Sequence, residues 1–163
     1  MLQEVVVKAY GHDRPAVVVP AAVAVFGKED FSRFSNTSLL PLLNNQPGIR
    51  MEERSPGSYR LSIRGSSLRS PFGVRNVKVY WNGMPLTDPG GNTYLNLMDL
   101  SGTDRMEVIR GPGSSLYGAG NGGVVLLSAG SRPVRLRAEL SAGGYGMFRA
   151  SAGYSGGDAK KSV

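Results

Sequence analysis

The stretch from Asp104 to Ser128 constrains the fold of this chain more than any other. Its first seven residues, 104–110, combine β-prone side chains with an alternation of faces that is typical of a strand. Gly111-Pro112 ends that strand, because proline cannot donate to a ladder, and Ser114-Ser115-Leu116 predicts a short helical turn. Val124-Val125-Leu126-Leu127 is apolar on both faces, so the stretch predicts a second strand buried within a sheet.

Three interpretations of this stretch compete. A glycine-rich loop after a strand can hold phosphate, but here the spacing is not that of a dinucleotide fingerprint and no Gly-Lys-Ser/Thr follows, which argues against nucleotide binding. The second interpretation is an ordinary strand–turn–strand corner of a globular domain. The third interpretation is a resemblance to a known family, which also depends on segments elsewhere in the chain.

The composition excludes several classes of protein. Glycine (23) and proline (10) are abundant among the 163 residues, which predicts many turns, short strands and little long helix. The net charge is +7, but the basic residues are scattered and no nucleic-acid-binding signature is present, so no nucleic-acid partner is predicted. With no cysteine and one histidine, thiolate and multi-histidine metal sites are excluded. No catalytic constellation is found, and no catalytic residue, metal site or cofactor is predicted.

Local patterns place the remaining elements. Pro47-Gly48 ends a leucine-rich helix that Ser38 can cap, and Asn82-Gly83 is a strong signal for a hairpin turn. The predicted strands are Glu4–Tyr10, Ala16–Val19, Val23–Phe26, Tyr59–Gly65 and Val77–Trp81, and the predicted helices are Lys28–Phe34 and Ser38–Gln46.

The pattern changes after Ser128. Residues 134–143 and 148–155 alternate apolar and polar side chains around Gly144-Tyr145-Gly146. Such paired segments are typical of transmembrane barrel strands, although a soluble amphipathic hairpin has the same pattern. A closed membrane barrel needs at least about eight strands. The chain is therefore expected to be a fragment, and the absence of a signal peptide at Met1 suggests that an exported protein would have lost its amino terminus.

Several segments together resemble one family. Glu107–Pro112, Leu116–Gly118 and Gly122–Val125 closely resemble the closing segment of the plug domain of TonB-dependent outer-membrane receptors. Ile63-Arg64-Gly65 and the leucine-rich helix before Pro47-Gly48 are similar to plug elements in the same order. The resemblance extends over about residues 4–155. It implies an α+β plug with a small mixed β-sheet and short helices over residues 1–131, followed over residues 132–163 by the first β-hairpin of a truncated transmembrane β-barrel.

The resemblance also implies a function. A plug occludes the barrel of an outer-membrane transporter in a Gram-negative bacterium and gates the energised uptake of a scarce nutrient, such as a ferric siderophore, a vitamin B12-like cobalamin or an oligosaccharide. The implied partners are TonB in the periplasm, the plug's own barrel, the outer membrane and the small-molecule nutrient. The alternative is a soluble ligand-binding or interaction module on the same fold. An enzyme is the third choice, because it lacks candidate residues.

Two arginines match plug residues that pair with glutamates of the barrel wall. Arg64 and Arg110 each precede a glycine at the end of an apolar strand, and the simpler interpretation is that both are exposed strand-end residues. A partly desolvated arginine would need a carboxylate partner. The nearest local candidates are Glu52, Glu53 and Glu107, but Glu107 lies on the strand face opposite Arg110.

The resemblance assigns two further sets of residues. The loops 66–76 and 87–94 are expected to contact the substrate, with Arg69, Arg75, Asn92 and Tyr94 as the candidate residues. Glu4, Val5, Val6 and Val7 form the candidate segment to which TonB would add a strand. The alternative is that these four residues belong to the first strand of the plug and that the segment bound by TonB lies upstream of Met1.

Overall fold

The structure is a computed structural model that divides the chain into two compact units, residues 1–129 and residues 130–163. Each unit is described by itself. The described residues are 6–8, 11, 14–34, 38–66, 74–98, 100–111, 114–118, 120, 122–129, 135–155, 157–158 and 161–162.

The first unit combines short strands with short helices. Its strands are β1 (Val6–Val7), β2 (Arg14–Pro15), β3 (Ala22–Gly27), β4 (Ile49–Ser55), β5 (Ser58–Ile63), β6 (Val77–Trp81), β7 (Met84–Pro85), β8 (Arg105–Arg110) and β9 (Gly123–Ser128). Its α-helices are α1 (Lys28–Phe34), α2 (Leu40–Asn44) and α3 (Ser114–Tyr117), and its 3-10 turns are Ala16–Val18, Leu95–Leu97 and Leu100–Gly102.

The central sheet has five strands in the order β3-β8-β9-β6-β7. Strands β6 and β9 are parallel, whereas the other neighbours are antiparallel, so the sheet is mixed. The two strands of the 104–128 stretch, β8 and β9, lie side by side within this sheet. The apolar character of β9 on both faces predicted that it would be buried. Two-stranded sheets form from β1 with β2 and from β4 with β5.

Hydrophobic cores cover both faces of the sheet, and the alternation along β8 separates them as predicted. Met106 and Val108 belong to the larger core, whereas Ile109 belongs to the smaller one. The larger core includes side chains of β3, β4, β5 and the helices α1 and α2: Phe26, Phe31, Leu42, Leu43, Met51, Leu61 and Ile63. The smaller core contains Val7, Val19, Ile109 and Val124.

The strand predicted over Ala16–Val19 is wrong. Residues Ala16–Val18 form a 3-10 turn instead, in which Val17 is 95% and Val18 64% exposed. Pro15 and Pro20 flank the segment, and proline provides no backbone donor for a ladder. The three consecutive valines therefore have the propensity of a strand, but no strand within the described residues pairs with them.

Helix α2 is shorter than the predicted Ser38–Gln46 and does not begin at a serine cap. Leu39 is its N-cap residue and provides no side-chain cap, while Pro41 lies in the first turn as predicted. The Ser38 hydroxyl accepts a hydrogen bond from the Leu40 N–H at 3.2 Å. Ser38 therefore stabilises the entry to the helix from one position further upstream.

Asn44 connects α2 to the edge of β4. Its side-chain amide donates to the Met51 carbonyl at 2.9 Å and accepts from the Met51 N–H at 2.7 Å, in place of a neighbouring strand. Met51 is buried, so removing this amide leaves two buried backbone groups without partners. We expect Asn44→Ala to lower the free energy of unfolding by about 2 kcal/mol. Urea denaturation measures this free energy of unfolding. The exposed neighbouring residue Asn45 provides the control, because Asn45→Ala should change the free energy of unfolding by less than about 0.5 kcal/mol.

Tyr59 lies directly across the β4–β5 hairpin from Glu53. Burial raises the pKa of Tyr59 above its ordinary value, and the nearby Glu53 carboxylate adds to this effect. The tyrosine therefore remains a neutral phenol at physiological pH. Glu53 in turn accepts the Gly57 N–H at 3.0 Å, which stabilises the hairpin turn.

The second unit contains a hairpin of β10 (Arg135–Ala142) and β11 (Phe148–Ser155), joined through the 3-10 turn Gly144–Gly146, and a second short pair, β12 (Gly157–Asp158) with β13 (Lys161–Ser162). Tyr145 in the turn has a positive φ of 58°. Across the hairpin, apolar residues oppose apolar residues in the pairs Leu136–Tyr154, Ala138–Ala152, Leu140–Ala150 and Ala142–Phe148. The large side chains of this face are 72–83% exposed at Leu136, Leu140, Phe148 and Tyr154.

Candidate functional site

Arg64 occupies an unusual backbone position at the end of β5. It has a φ of 53° and precedes Gly65, whose φ is 77°, while its N–H donates to the Gly48 carbonyl at 2.8 Å. Glycine or asparagine adopts the left-handed region at lower cost than a long side chain does. An arginine at this turn therefore adopts a backbone conformation that costs more for it than for glycine.

Arg110 ends β8 beside this turn. Its Nη1 donates to the Pro47 carbonyl at 3.0 Å, and its Nε lies 3.5 Å from the Ala22 carbonyl oxygen. Arg64 Nη1 lies 3.7 Å from the position that a Cβ atom would occupy on Gly111. The two arginines therefore meet at one surface pocket of about 370 Å³, although they are far apart in sequence.

The arginine pocket lacks an ion pair within the part of the chain that the structure describes. Neither Arg64 nor Arg110 lies within 4 Å of a carboxylate oxygen among those residues, whereas other arginines of the same unit do form such pairs. Two of the candidate local partners have other contacts: Glu52 pairs with Arg50 at 2.7 Å, and Glu107 pairs with Arg105 at 2.7 Å. Two guanidinium side chains that line one pocket attract an anion, and a guanidinium group can bind a carboxylate in bidentate geometry.

The loop residues predicted to contact substrate are only partly brought together. Arg75 Nε donates to Asn92 Oδ1 at 2.7 Å, and the Asn92 N–H donates to Asp88 Oδ1 at 2.8 Å. Tyr94 follows this turn and is 39% exposed. Arg69 lies outside the described residues. The loop over residues 87–94 is therefore closed by its own hydrogen bonds, with Arg75, Asn92 and Tyr94 near its surface.

The amino-terminal candidate segment is already engaged in the fold. Glu4 and Val5 lie outside the described residues; Val6–Val7 form β1, which pairs with β2, and Val7 is fully buried in the smaller core. The Lys8 N–H donates to both carboxylate oxygens of Glu107, at 2.9 and 3.0 Å.

Glu107 is a buried carboxylate that the sequence indicated only as a candidate partner of Arg64 and Arg110. It is 2% exposed and belongs to the middle of the sheet. The signal that could have identified it is a carboxylate at an inward position of an otherwise apolar strand, because a buried charge needs a partner.

The described residues were also searched for membrane-spanning helices and for clusters of metal-ligating side chains. None of the helices there is long and apolar enough to cross a membrane. No group of three or more histidine, cysteine, aspartate or glutamate side chains in that part of the chain could hold a metal ion.

Comparison with known proteins decides the family. The family described as "TonB-dependent Receptor Plug Domain" matches residues 15–125, which is more than half of the chain. The chain belongs to this plug family. The mixed sheet with few short helices is the plug fold, as the resemblance implied. Arg64 and Arg110 both lie within the matched part of the plug.

Curated relatives of the plug are transporters and receptors. It is 30% identical over 117 residues to the vitamin B12 transporter BtuB of Vibrio vulnificus, covering 71% of this chain and 18% of that protein. It is also 30% identical over 121 residues to a hemin receptor of Yersinia enterocolitica, covering 74% of this chain and 17% of that protein. The chain therefore spans about a fifth of the length of these relatives.

Solved structures show the same fold. The chain superimposes on the pyoverdine receptor FpvA in complex with a ferric pyoverdine, from P. aeruginosa, with a TM-score of 0.75 at 22% identity, covering 93% of this chain and 20% of that one. The ferric yersiniabactin uptake receptor FyuA from Yersinia pestis gives a TM-score of 0.67 at 21% identity, covering 84% and 22%.

Proposed function

We propose that this chain is the plug of an energised transporter in the outer membrane of a Gram-negative bacterium, where it closes the barrel and gates nutrient uptake. The observation that carries the proposal is the arginine pocket: Arg64 and Arg110 converge on a surface that offers them no carboxylate among the described residues. A plug inside a barrel meets a wall, and glutamates of that wall would complete these ion pairs.

The hairpin of the second unit supports the same proposal. Its apolar face carries highly exposed Leu136, Leu140, Phe148 and Tyr154, which a water-exposed hairpin would have no reason to align. In a barrel this face would contact lipid and the other face would line the lumen. We therefore assign residues 1–131 to the plug and residues 132–163 to the first strands of the barrel.

Substrate would contact the plug through its loops. The closed turn over 87–94 holds Arg75 and Asn92 together and presents Tyr94. Arg69 remains a candidate contact from the sequence alone. Short polar groups and glycines in these loops allow a bulky ligand to approach the backbone closely. The relatives that carry vitamin B12 or hemin in their names support a metal chelate as the substrate class, with an oligosaccharide as another nutrient of suitable size.

Transport requires that the closed plug change its conformation or its position in the barrel when energy is supplied. In the proposed cycle, substrate binds at the loops, TonB grips an extended segment on the periplasmic side by adding a strand, and pulling rearranges the plug. Polar contacts between plug and wall suit this cycle, because water can replace them while the plug moves. Glu4, Val5, Val6 and Val7 are the candidate segment for TonB within this chain.

Growth complementation tests the proposal. The receptor carrying this plug is expressed in a Gram-negative strain that lacks its own receptors for ferric siderophores, hemin and cobalamin, with tonB intact or deleted. We expect growth on one of these nutrients at a limiting concentration only where tonB is intact. Growth on none of them, or growth that does not depend on tonB, would contradict energised uptake of a metal chelate and favour a binding module without transport.

A further inference from the structure

The loop over residues 87–94 is fixed at its base to the central sheet. Val74 and Thr93 exchange backbone hydrogen bonds at 2.9 and 3.0 Å, and the hydroxyl oxygens of Thr87 and Thr93 lie 2.7 Å apart. The Thr87 hydroxyl also accepts the N–H of Val79 in β6, at 3.2 Å. Thr93 is 1% exposed, so these contacts are shielded from water. The base of the loop is therefore held in one position by the fold itself.

The tip of the same loop is closed by Asp88 and Asn92. The Asp88 N–H donates to the Asn92 carbonyl at 2.8 Å, and the Asn92 N–H donates to Asp88 Oδ1 at 2.8 Å. The Asp88 carbonyl also accepts the Gly91 N–H at 2.9 Å. Asp88 therefore directs a carboxylate oxygen at the backbone of its own loop, and the position of Asn92 is fixed through its main chain.

Asn92 orients Arg75 without neutralising it. Arg75 Nε donates to Asn92 Oδ1 at 2.7 Å, and the amide that accepts this bond carries no charge. Arg75 is exposed, and no carboxylate oxygen of the described residues lies within 4 Å of its nitrogens, whereas Arg50 and Arg105 do form such pairs. A guanidinium group held through Nε can still offer its two terminal nitrogens as parallel donors, the geometry that fits a carboxylate or a similar pair of oxygens.

We infer, on the basis of the proposed function, that Asn92 holds Arg75 ready for an anionic oxygen pair of the substrate, and that the plug thereby selects anionic metal chelates over neutral ones. An aspartate at position 92 would orient the arginine equally well but would neutralise its charge. The neutral amide reduces the ordering cost of binding and leaves the charge of the guanidinium to the ligand. Tyr94 and Leu97 of the same segment are 39% and 80% exposed, and such apolar groups suit the organic frame of a chelate.

Two substitutions that barely change shape should have opposite effects on binding. Asn92→Asp still accepts the bond from Arg75 Nε but adds a negative charge beside the guanidinium group. Asp88→Asn keeps an oxygen that can accept the Asn92 N–H but removes a negative charge from the loop. For an anionic chelate, the Kd should rise at least about fivefold in Asn92→Asp and fall about two- to fivefold in Asp88→Asn. For a neutral chelate, the Kd should be unchanged in both variants.

Binding is measured on the receptor carrying this plug, purified in detergent, with probes that differ in charge. Hemin and a ferric tricatecholate are anionic, whereas cobalamin and a ferric trihydroxamate carry no net charge. Asn82→Asp is the matched control for added charge, because an aspartate can still accept the Ala129 N–H that Asn82 Oδ1 accepts at 2.9 Å. Arg75 precedes β6 and Asn82 follows it, so the length of the strand, about 15 Å, separates them, which exceeds the screening length of about 10 Å.

We expect the wild type and Asn82→Asp to bind an anionic probe at least about tenfold more tightly than either neutral probe, and Arg75→Gln to lose this preference. The unfolding midpoints of the Asn92 and Asp88 variants should stay close to that of the wild type, which separates charge from loss of structure. An unchanged Kd for the anionic probe in both variants would overturn charge selection. Preferential binding of a neutral probe would overturn it too, but would leave the proposed function standing. Binding of none of the probes to the wild type would refute the proposed uptake of a metal chelate, and the inference with it.

Discussion

Replacing Gly123 with alanine is expected to destabilise the first unit by at least about 3 kcal/mol. Gly123 begins β9 with a φ of 152°, which side chains rarely adopt. A Cβ atom there would lie 2.4 Å from the Ile109 carbonyl oxygen and 3.0 Å from Ile63 Cδ1. The first contact is with backbone of the central sheet, so it can be relieved only by moving β8 or β9.

Thermal or urea unfolding of the chain measures this loss, and the midpoint temperature should fall by roughly 10 °C for a unit of this size. Gly27→Ala is the matched control: Gly27 ends β3 in the same sheet, and no atom lies within 4 Å of the position of its missing Cβ. Its effect should stay below about 1 kcal/mol. Equal losses of stability in Gly123→Ala and Gly27→Ala would show that close packing is not the reason why position 123 is occupied by glycine.

The neighbouring Gly122 shows why the sequence alone could not predict these contacts. A Cβ atom on Gly122 would lie 2.4 Å from Ser66 Oγ and 2.9 Å from the Asn76 carbonyl oxygen, both contributed by distant parts of the chain. The glycine pair was visible in the sequence as part of a loop. Which segments approach it depends on the tertiary fold, for which a local pattern carries no information.

Elements whose conformation depends on local physics were predicted well. Strand β6 has the predicted bounds, and Asn82 and Gly83 both have positive φ values, 47° and 82°, as the hairpin signal requires. The Ala16–Val19 strand failed because strand formation also needs a partner strand, which propensity does not provide.

In the candidate site, too, local patterns predicted some features, whereas the contacts between distant segments depend on the tertiary fold. The sequence placed Arg64 and Arg110 at strand ends, but their convergence on one pocket depends on how β5 and β8 are arranged in space. It placed Glu107 and Arg110 on opposite faces of β8, which agrees with the pairing of Glu107 to Arg105 and Lys8. The contact of Glu107 with the Lys8 N–H joins residues 99 positions apart and could not be predicted from spacing.

Replacing both Arg64 and Arg110 with alanine is expected to make the outer membrane leaky in cells that express the receptor. If wall glutamates pair with these arginines, the double variant leaves carboxylates unpaired at the interface between plug and wall, at a cost of about 3–5 kcal/mol for each buried pair that is broken. The plug should then leave its seated position more often. Sensitivity to a large antibiotic that the intact membrane excludes should increase several-fold, and conductance across planar bilayers should rise in parallel.

The comparison between variants separates wall pairing from simple loss of stability. Arg50→Ala removes an exposed arginine that pairs with Glu52 inside the chain, so it should leave antibiotic sensitivity unchanged. Arg64→Lys with Arg110→Lys keeps both charges but loses bidentate geometry, and permeability should lie between those of the wild type and the double alanine variant. Because Arg110 also donates to the Pro47 carbonyl, the unfolding midpoint of each variant must be measured as well. Unchanged permeability in a double alanine variant that remains folded would contradict wall pairing, since the two guanidinium groups would then be solvated side chains at the ends of strands.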